Sequence, residues 1–151
     1  MRVHNLYVDA KGETHFRDIE VEFTESGRAG KTSKRIPATG IIFRQVQPDY
    51  DLDWHPAPRR QYIINLDAGV QITASDGESR KIGAGEVILV EDTSGKGHLS
   101  KALDGRARWF HSINADALVL ALYDYIDAML KADACLPPPL ALAHCQFSGF
   151  R

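Results

Sequence analysis

The stretch DWHPAPRRQYIINLDAGVQI (residues 53–72) decides the fold that the sequence predicts. A histidine and a proline-rich spacer lead into the apolar run YIINL, and the short turn LDAG (66–69) leads into a second apolar run. Two apolar runs of strand length, joined by a short turn with glycine, are typical of a β-hairpin. The stretch therefore predicts two paired strands with His55 at their entrance.

Short runs of β type continue on both sides of this hairpin, from residue 15 to 114. They read HFRDIEVEF, TGIIFRQV, RQYIINL, GVQITAS, EVILVED and ARWFHSI. The runs are separated by turns, of which Asp76-Gly77 is a strong hairpin signal. Several short strands at such spacing favour an all-β sandwich or barrel.

The C-terminal part has a different pattern. Apolar residues recur at helical spacing in NADALVLALYDYIDAMLKADA, and the triple proline at 137–139 would end a helix there. We therefore predict a C-terminal α-helix followed by an apolar tail. The tail is compatible with packing on the barrel, packing on a second subunit, or disorder.

Composition restricts the class of protein. The chain has 151 residues, 44% apolar and 25% charged, with a formal net charge of −2, which suits one soluble domain. No basic stripe or polybasic run is present, so we expect neither a nucleic-acid nor a membrane partner. The N-terminus lacks the apolar segment of a secretory signal, and both cysteines, Cys135 and Cys145, lie near the end. We therefore expect a cytoplasmic protein.

The opening stretch also follows a spaced pattern of polar residues. His55 begins it, Ala57 follows after one spacer residue, Gln61 comes four residues later, and Gly69 closes the strand. In the first motif of the cupin superfamily, these positions carry histidine, histidine, glutamate and glycine. The segment resembles that motif, with two ligand positions changed and the turn glycine displaced by one residue.

A second stretch, GEVILVEDTSGKGH (85–98), resembles the second cupin motif. Gly85 and His98 match its ends, whereas Glu91 replaces the usual proline and the loop is longer. The resemblance covers roughly residues 38–114. It implies a double-stranded β-helix (jelly-roll) barrel there, an N-terminal strand extension over 1–37, and the helix and tail over 115–151, all in one domain. It also implies a homodimer, because many cupins pair through strands that cover sheet edges.

The resemblance implies a metal site of three imidazoles and a carboxylate around Fe, Mn, Ni or Zn. Here His55, Gln61 and His98 would be the ligands. Residues that could complete the shell are His111 on a later strand, and Asp92 or Glu91 before the longer loop. Ala57 provides no donor and an amide is a neutral substitute for a carboxylate. The alternative, in which both histidines line a pocket without an ion, therefore stays open.

Barrels of this size hold one small ligand, so the residues beside the motif are candidate ligand contacts. They are Trp54, Arg59, Arg60, Gln61 and Lys96. An arginine aimed inward would offer a planar fork for a carboxylate or phosphate, and adjacent arginines on an extended segment should face opposite ways.

These contacts favour a pocket for a small anionic metabolite. Three alternatives are a metal-dependent oxygenase or isomerase, a metal-free acid–base enzyme with a histidine base, and a structural or interaction domain whose barrel is filled by side chains.

Overall fold

The computed structural model describes residues 1–115. The strands are β1 (Arg2–Val8), β2 (Thr14–Glu20), β3 (Phe23–Gly27), β4 (Gly30–Ser33), β5 (Gly40–Val46), β6 (Asp51–His55), β7 (Gln61–Asn65), β8 (Val70–Ala74), β9 (Ser79–Ile82), β10 (Val87–Val90), β11 (His98–Ala102) and β12 (Arg108–Asn114). A short 3₁₀ turn, Leu103–Gly105, precedes β12. Within this range no helix is long and apolar enough to cross a membrane. The predicted C-terminal helix lies outside the described residues.

Two sheets dominate the structure, and the all-β prediction is confirmed. The large sheet has six strands in the order β2-β1-β10-β7-β12-β5, with β1 parallel to β10 and the other neighbours antiparallel. The small sheet has four antiparallel strands in the order β6-β11-β8-β9. Strands β3 and β4 form a separate hairpin.

The core lies between the two sheets because each presents one apolar face. In β8, Val70, Ile72 and Ala74 alternate with more exposed residues, as expected for a strand covered on one side. Ile88 and Val90 of β10 belong to the same buried cluster from the opposite sheet. Burying each of these branched side chains contributes about 1.5–3 kcal/mol to folding.

The N-terminal segment is built into the large sheet of its own chain. Strand β1 lies between β2 and β10, with His4 opposite Ile88, and Leu6 is fully buried in the core. The side-chain amide of Asn5 donates to the carbonyl of Leu89 at 3.1 Å and to the carboxylate of Glu91 at 2.8 Å. These contacts fix the strand that leads into the loop before β11.

Candidate functional site

A cavity of about 350 Å³ lies between the two sheets. This volume would hold roughly a dozen waters at about 30 Å³ each. Its apolar wall includes Val70, Ile72, Ile88 and Val90. The polar and charged residues that line it are Arg44, Tyr50, His55, Gln61, His98, Ser100 and Arg108. A cavity of this size suits a small polar molecule.

Two histidines lie side by side at one end of the cavity, the histidine end. His98 of β11 pairs directly with His55 of β6, and their ring centroids are 4.4 Å apart with the planes tilted by 53°. Gly97 makes this approach possible: its φ is +74°, and a Cβ there would overlap the backbone carbonyl of His55. Gly97 therefore lets the backbone of the neighbouring strand come close.

Each imidazole is oriented through its Nδ1 atom. The Nδ1 of His98 is 2.6 Å from Oδ2 of Asp92, which is fully buried. The Nδ1 of His55 is 2.6 Å from the backbone carbonyl of Asp53. An ionised carboxylate and a carbonyl only accept hydrogen bonds, so both Nδ1 atoms donate. Each ring, when neutral, therefore keeps its lone pair on Nε2.

Two arginines form the other end of the cavity, the arginine end. The Arg108 guanidinium donates from Nη1 to Oδ1 of Asn65 at 3.0 Å and stacks on Phe110, with Cζ 4.4 Å from the ring centroid. Arg44, opposite Phe110 across the β12–β5 pair, places its Cζ 5.1 Å from the same centroid. Two cations thus share one aromatic ring.

Arg108 is a buried cation without a matching anion. Only 4% of its surface is exposed, its Nε has no hydrogen-bond partner, and none of the ion pairs found among residues 1–115 includes it. Burial away from water lowers the pKa of Arg108 to about 10, and the nearby charge of Arg44 adds to this, while Tyr50 and Asp67 partly oppose it.

Gln61 lies where the motif predicts, in the cavity wall and almost fully buried. Ile63 also lines the cavity, and Asn65 is buried at the end of the same strand. A buried amide needs hydrogen-bond partners, and Asn65 has them. Its Nδ2 donates to the carbonyls of Ile82 at 3.0 Å and Gly83 at 3.2 Å, and its Oδ1 accepts from Arg108.

The other ligand contacts predicted from the two motif stretches lie elsewhere. Arg60 donates from Nε to Glu91 at 2.7 Å and from Nη1 to the carbonyl of Ala115 at 2.7 Å. Lys96 pairs with Glu13, while Arg59 and Trp54 are exposed. None of the four residues from the sequence prediction, Trp54, Arg59, Arg60 and Lys96, lines the cavity. Arg59 lies in a bend and is exposed, whereas Arg60 is half-buried, so the two do not lie on an extended segment as predicted.

His111 does not join the two cavity histidines. It alternates with Phe110 on β12 and therefore faces the other side of the sheet, where it packs edge-on against Phe43 with centroids 4.6 Å apart. The possible set of His55, His98 and His111 is not assembled in the structure.

The donors at the histidine end do not fit the metal site that the resemblance implies. Asp92 binds the Nδ1 of His98, and buried Ala57 has no donor atom. Two imidazoles and the neutral Gln61 amide remain. Within residues 1–115, no group of three or more His, Cys, Asp or Glu side chains is arranged to hold a metal ion.

Sequence reasoning missed Arg44, Arg108, Tyr50 and Ser100. The phenol of Tyr50 and the hydroxyl of Ser100 are 2.8 Å apart in the cavity wall. The alternation in ARWFHSI places Arg108 and Phe110 on one face, but only the strand order shows that this face is the inner one.

No protein-family model and no curated protein matches the sequence. Among solved structures, the chain is similar to the conserved SPY1581 protein of unknown function from Streptococcus pyogenes, with 17% identity, a TM-score of 0.42, and coverage of 57% of this chain and 71% of that one. It is also similar to protein NMB1881 from Neisseria meningitidis, with 20% identity, a TM-score of 0.41, and coverage of 54% and 79%. These likenesses are too distant to carry a functional argument.

Proposed function

We propose that this chain is a cupin-type jelly-roll barrel that binds a small organic anion in the cavity between its sheets. The observation that carries the proposal is Arg108, a buried guanidinium beside a second arginine and without a carboxylate partner among the described residues. A carboxylate or phosphate group of a ligand would supply the missing charge.

The energetics favour an anion at this place. A cation removed from water is destabilised unless an opposite charge or several hydrogen bonds compensate it. Arg108 has one hydrogen bond, to Asn65, and its charged neighbours act in opposite directions: Arg44 repels it and Asp67, which does not line the cavity, attracts it. An anion between the two guanidinium groups would be attracted by both, and a planar fork binds carboxylates with charge-assisted hydrogen bonds.

The other hypotheses receive less support. The donor set at His55, Gln61 and His98 lacks the third imidazole and the carboxylate of the expected metal shell, so no step is assigned to a metal. A purely structural barrel would be filled by side chains, whereas this one contains a cavity lined by arginine and histidine.

A second candidate function is acid–base catalysis on the bound anion, and the Asp92–His98 contact favours it. A buried carboxylate 2.6 Å from Nδ1 fixes the ring and leaves Nε2 to accept a proton from a ligand. The same arrangement supports simple binding, so catalysis is tested separately, by proton exchange into a bound acid.

Calorimetric titration with hexanoate tests the anion pocket. Arg108→Gln should weaken hexanoate binding by about ten-fold or more, because charge-assisted hydrogen bonds contribute about 1.5–3 kcal/mol. The matched control, Arg59→Gln, removes an equal charge outside the cavity and should bind within about two-fold of the parent. Since Arg108→Gln relieves a buried charge, the ligand-free variant should melt no lower than the parent.

Equal hexanoate affinity in the parent and in Arg108→Gln would contradict the proposal. Equal weakening in Arg59→Gln would also contradict it, because attraction by net charge would then explain the binding.

A further inference from the structure

The two ends of the cavity have opposite hydrogen-bonding character. At the arginine end, Arg44 and Arg108 can only donate. At the histidine end, both Nδ1 atoms already donate to oxygen atoms of the protein, so the neutral rings of His55 and His98 offer acceptors at Nε2. A ligand that bridges the cavity must therefore accept at one end and donate at the other.

The acceptor character of the histidine end is fixed by its surroundings. Asp92 is fully buried and holds the proton-bearing Nδ1 of His98, and the carbonyl of Asp53 does the same for His55. In each neutral ring the Nδ1 carries the proton, so the lone pair open to a ligand is on Nε2, and the two rings are only 4.4 Å apart.

The strand register gives the distance between the two ends. Arg108 contacts Asn65 at one end of β7, and Gln61 at the other end pairs with Val90, two residues before Asp92. Four residues of strand span roughly 13 Å between Cα atoms, and side chains occupy part of that length. The wall between is mostly apolar, and its two hydroxyls, of Tyr50 and Ser100, are bonded to each other, so the remaining space suits a carbon chain of about six atoms.

We propose that the cavity selects short hydroxy acids, with the carboxylate on Arg44 and Arg108 and a hydroxyl donating to Nε2 of His98 or His55. This inference rests on the proposed function and adds the substrate class. The cavity would then prefer hydroxy acids to simple fatty acids, which lack a hydroxyl donor. It would also prefer them to diacids, which would bring a second acceptor to the histidine end.

A matched set of six-carbon probes tests the inference by calorimetry. Hexanoate has the anion alone, 6-hydroxyhexanoate adds one terminal hydroxyl, adipate has an anion at each end, and 1,6-hexanediol has hydroxyls without charge. We expect 6-hydroxyhexanoate to bind about five-fold tighter than hexanoate, the effect of one net hydrogen bond. Adipate should bind no tighter than hexanoate, and the diol should bind weakest.

Two variants test whether the histidine end causes the preference for 6-hydroxyhexanoate over hexanoate. In His55→Phe the aromatic shape is kept and one acceptor is lost, while in Asp92→Asn the amide can donate to Nδ1 and move the proton of His98 to Nε2. Both should reduce the advantage of 6-hydroxyhexanoate over hexanoate. Arg59→Gln, outside the cavity, should keep it.

The outcomes separate this inference from the proposed function. If hexanoate and 6-hydroxyhexanoate bound equally to the parent, and both bound weakly to Arg108→Gln, the hydroxy-acid inference would be overturned. The anion pocket would remain supported. Tighter binding of adipate than of 6-hydroxyhexanoate would do the same, since the histidine end would then be a donor. Equal binding of the diol and 6-hydroxyhexanoate would overturn the anion pocket itself, and absence of binding by every probe would overturn both.

Discussion

The two ends of the cavity differ in how their polar groups are satisfied. At the histidine end, the protein itself supplies a partner for each Nδ1, from Asp53 and Asp92. At the arginine end, Arg108 has one neutral partner, and its nearest charged neighbour in the cavity wall, Arg44, repels it. The protein therefore holds both imidazoles at the first end, whereas the buried cation at the second end has no anion beside it in the cavity wall. Under the proposed function, we therefore expect the arginines to supply the binding energy and the histidines the selectivity.

The largest expected effect comes from breaking the histidine end at Gly97. An alanine there would hold a left-handed φ of +74° and overlap the backbone of His55. We expect Gly97→Ala to lower the free energy of unfolding by roughly 3 kcal/mol. Urea denaturation followed by tryptophan fluorescence measures this loss.

Gly85→Ala is the matched control for the backbone strain. Gly85 has a nearly equal φ of +76°, but a Cβ added to it would meet no atom within 4 Å. The substitution should cost only about 1–2 kcal/mol. If the two variants were equally stable, the close approach of Gly97 to His55 would contribute nothing to the histidine end.

The histidine end and the β strands could be predicted from the sequence because their signals are local. His55, Gln61 and His98 lie in two local stretches whose spacing resembles known motifs, so their place in the cavity could be expected. The β strands could be expected as well, because alternation and turn residues are local signals. The helix and tail predicted over 115–151 lie almost wholly outside the described residues and stay a prediction.

The arginine end could not be predicted in this way. Arg44, Asn65 and Arg108 lie on β5, β7 and β12, and only the pairing of these strands brings them together. A shift of one residue in register would turn Arg108 to the other face. The prediction instead favoured Arg59, Arg60 and Lys96, which are close to the motifs in sequence but pair with other residues or lie exposed on the surface.

A smaller effect should follow from removing Arg44, the exposed member of the arginine pair. Arg44→Gln takes away one attraction for the ligand but also the repulsion that Arg108 experiences. We therefore expect hexanoate affinity to fall by about three-fold, less than in Arg108→Gln, because exposed charges contribute roughly 1 kcal/mol or less. Calorimetry at low ionic strength compares the two variants. A larger loss in Arg44→Gln would show that the exposed arginine, not the buried one, holds the anion.

The smallest expected effect concerns the turn between β1 and β2, residues 9–13, which contacts the loop before His98. The carbonyl of Gly12 accepts from the backbone of Lys96 at 2.9 Å, next to Gly97. His15, at the start of β2, lies 2.6 Å from Asp76 and 3.5 Å from Asp9. The hydrogen bond to Asp76, with a smaller contribution from Asp9, raises the pKa of His15.

A raised pKa stabilises the fold only while His15 is charged. The stabilisation is therefore complete below the unfolded pKa of about 6.5 and is lost as pH rises through the higher folded pKa. The side chain is 30% exposed, so solvent screening should keep the contribution below about 0.5 kcal/mol. We expect His15→Gln to melt slightly below the parent at pH 5.5 and to match it at pH 8.5. Because the other histidines are the same in both proteins, the difference isolates His15. A constant difference in melting temperature at both pH values would mean that His15 acts through packing rather than charge.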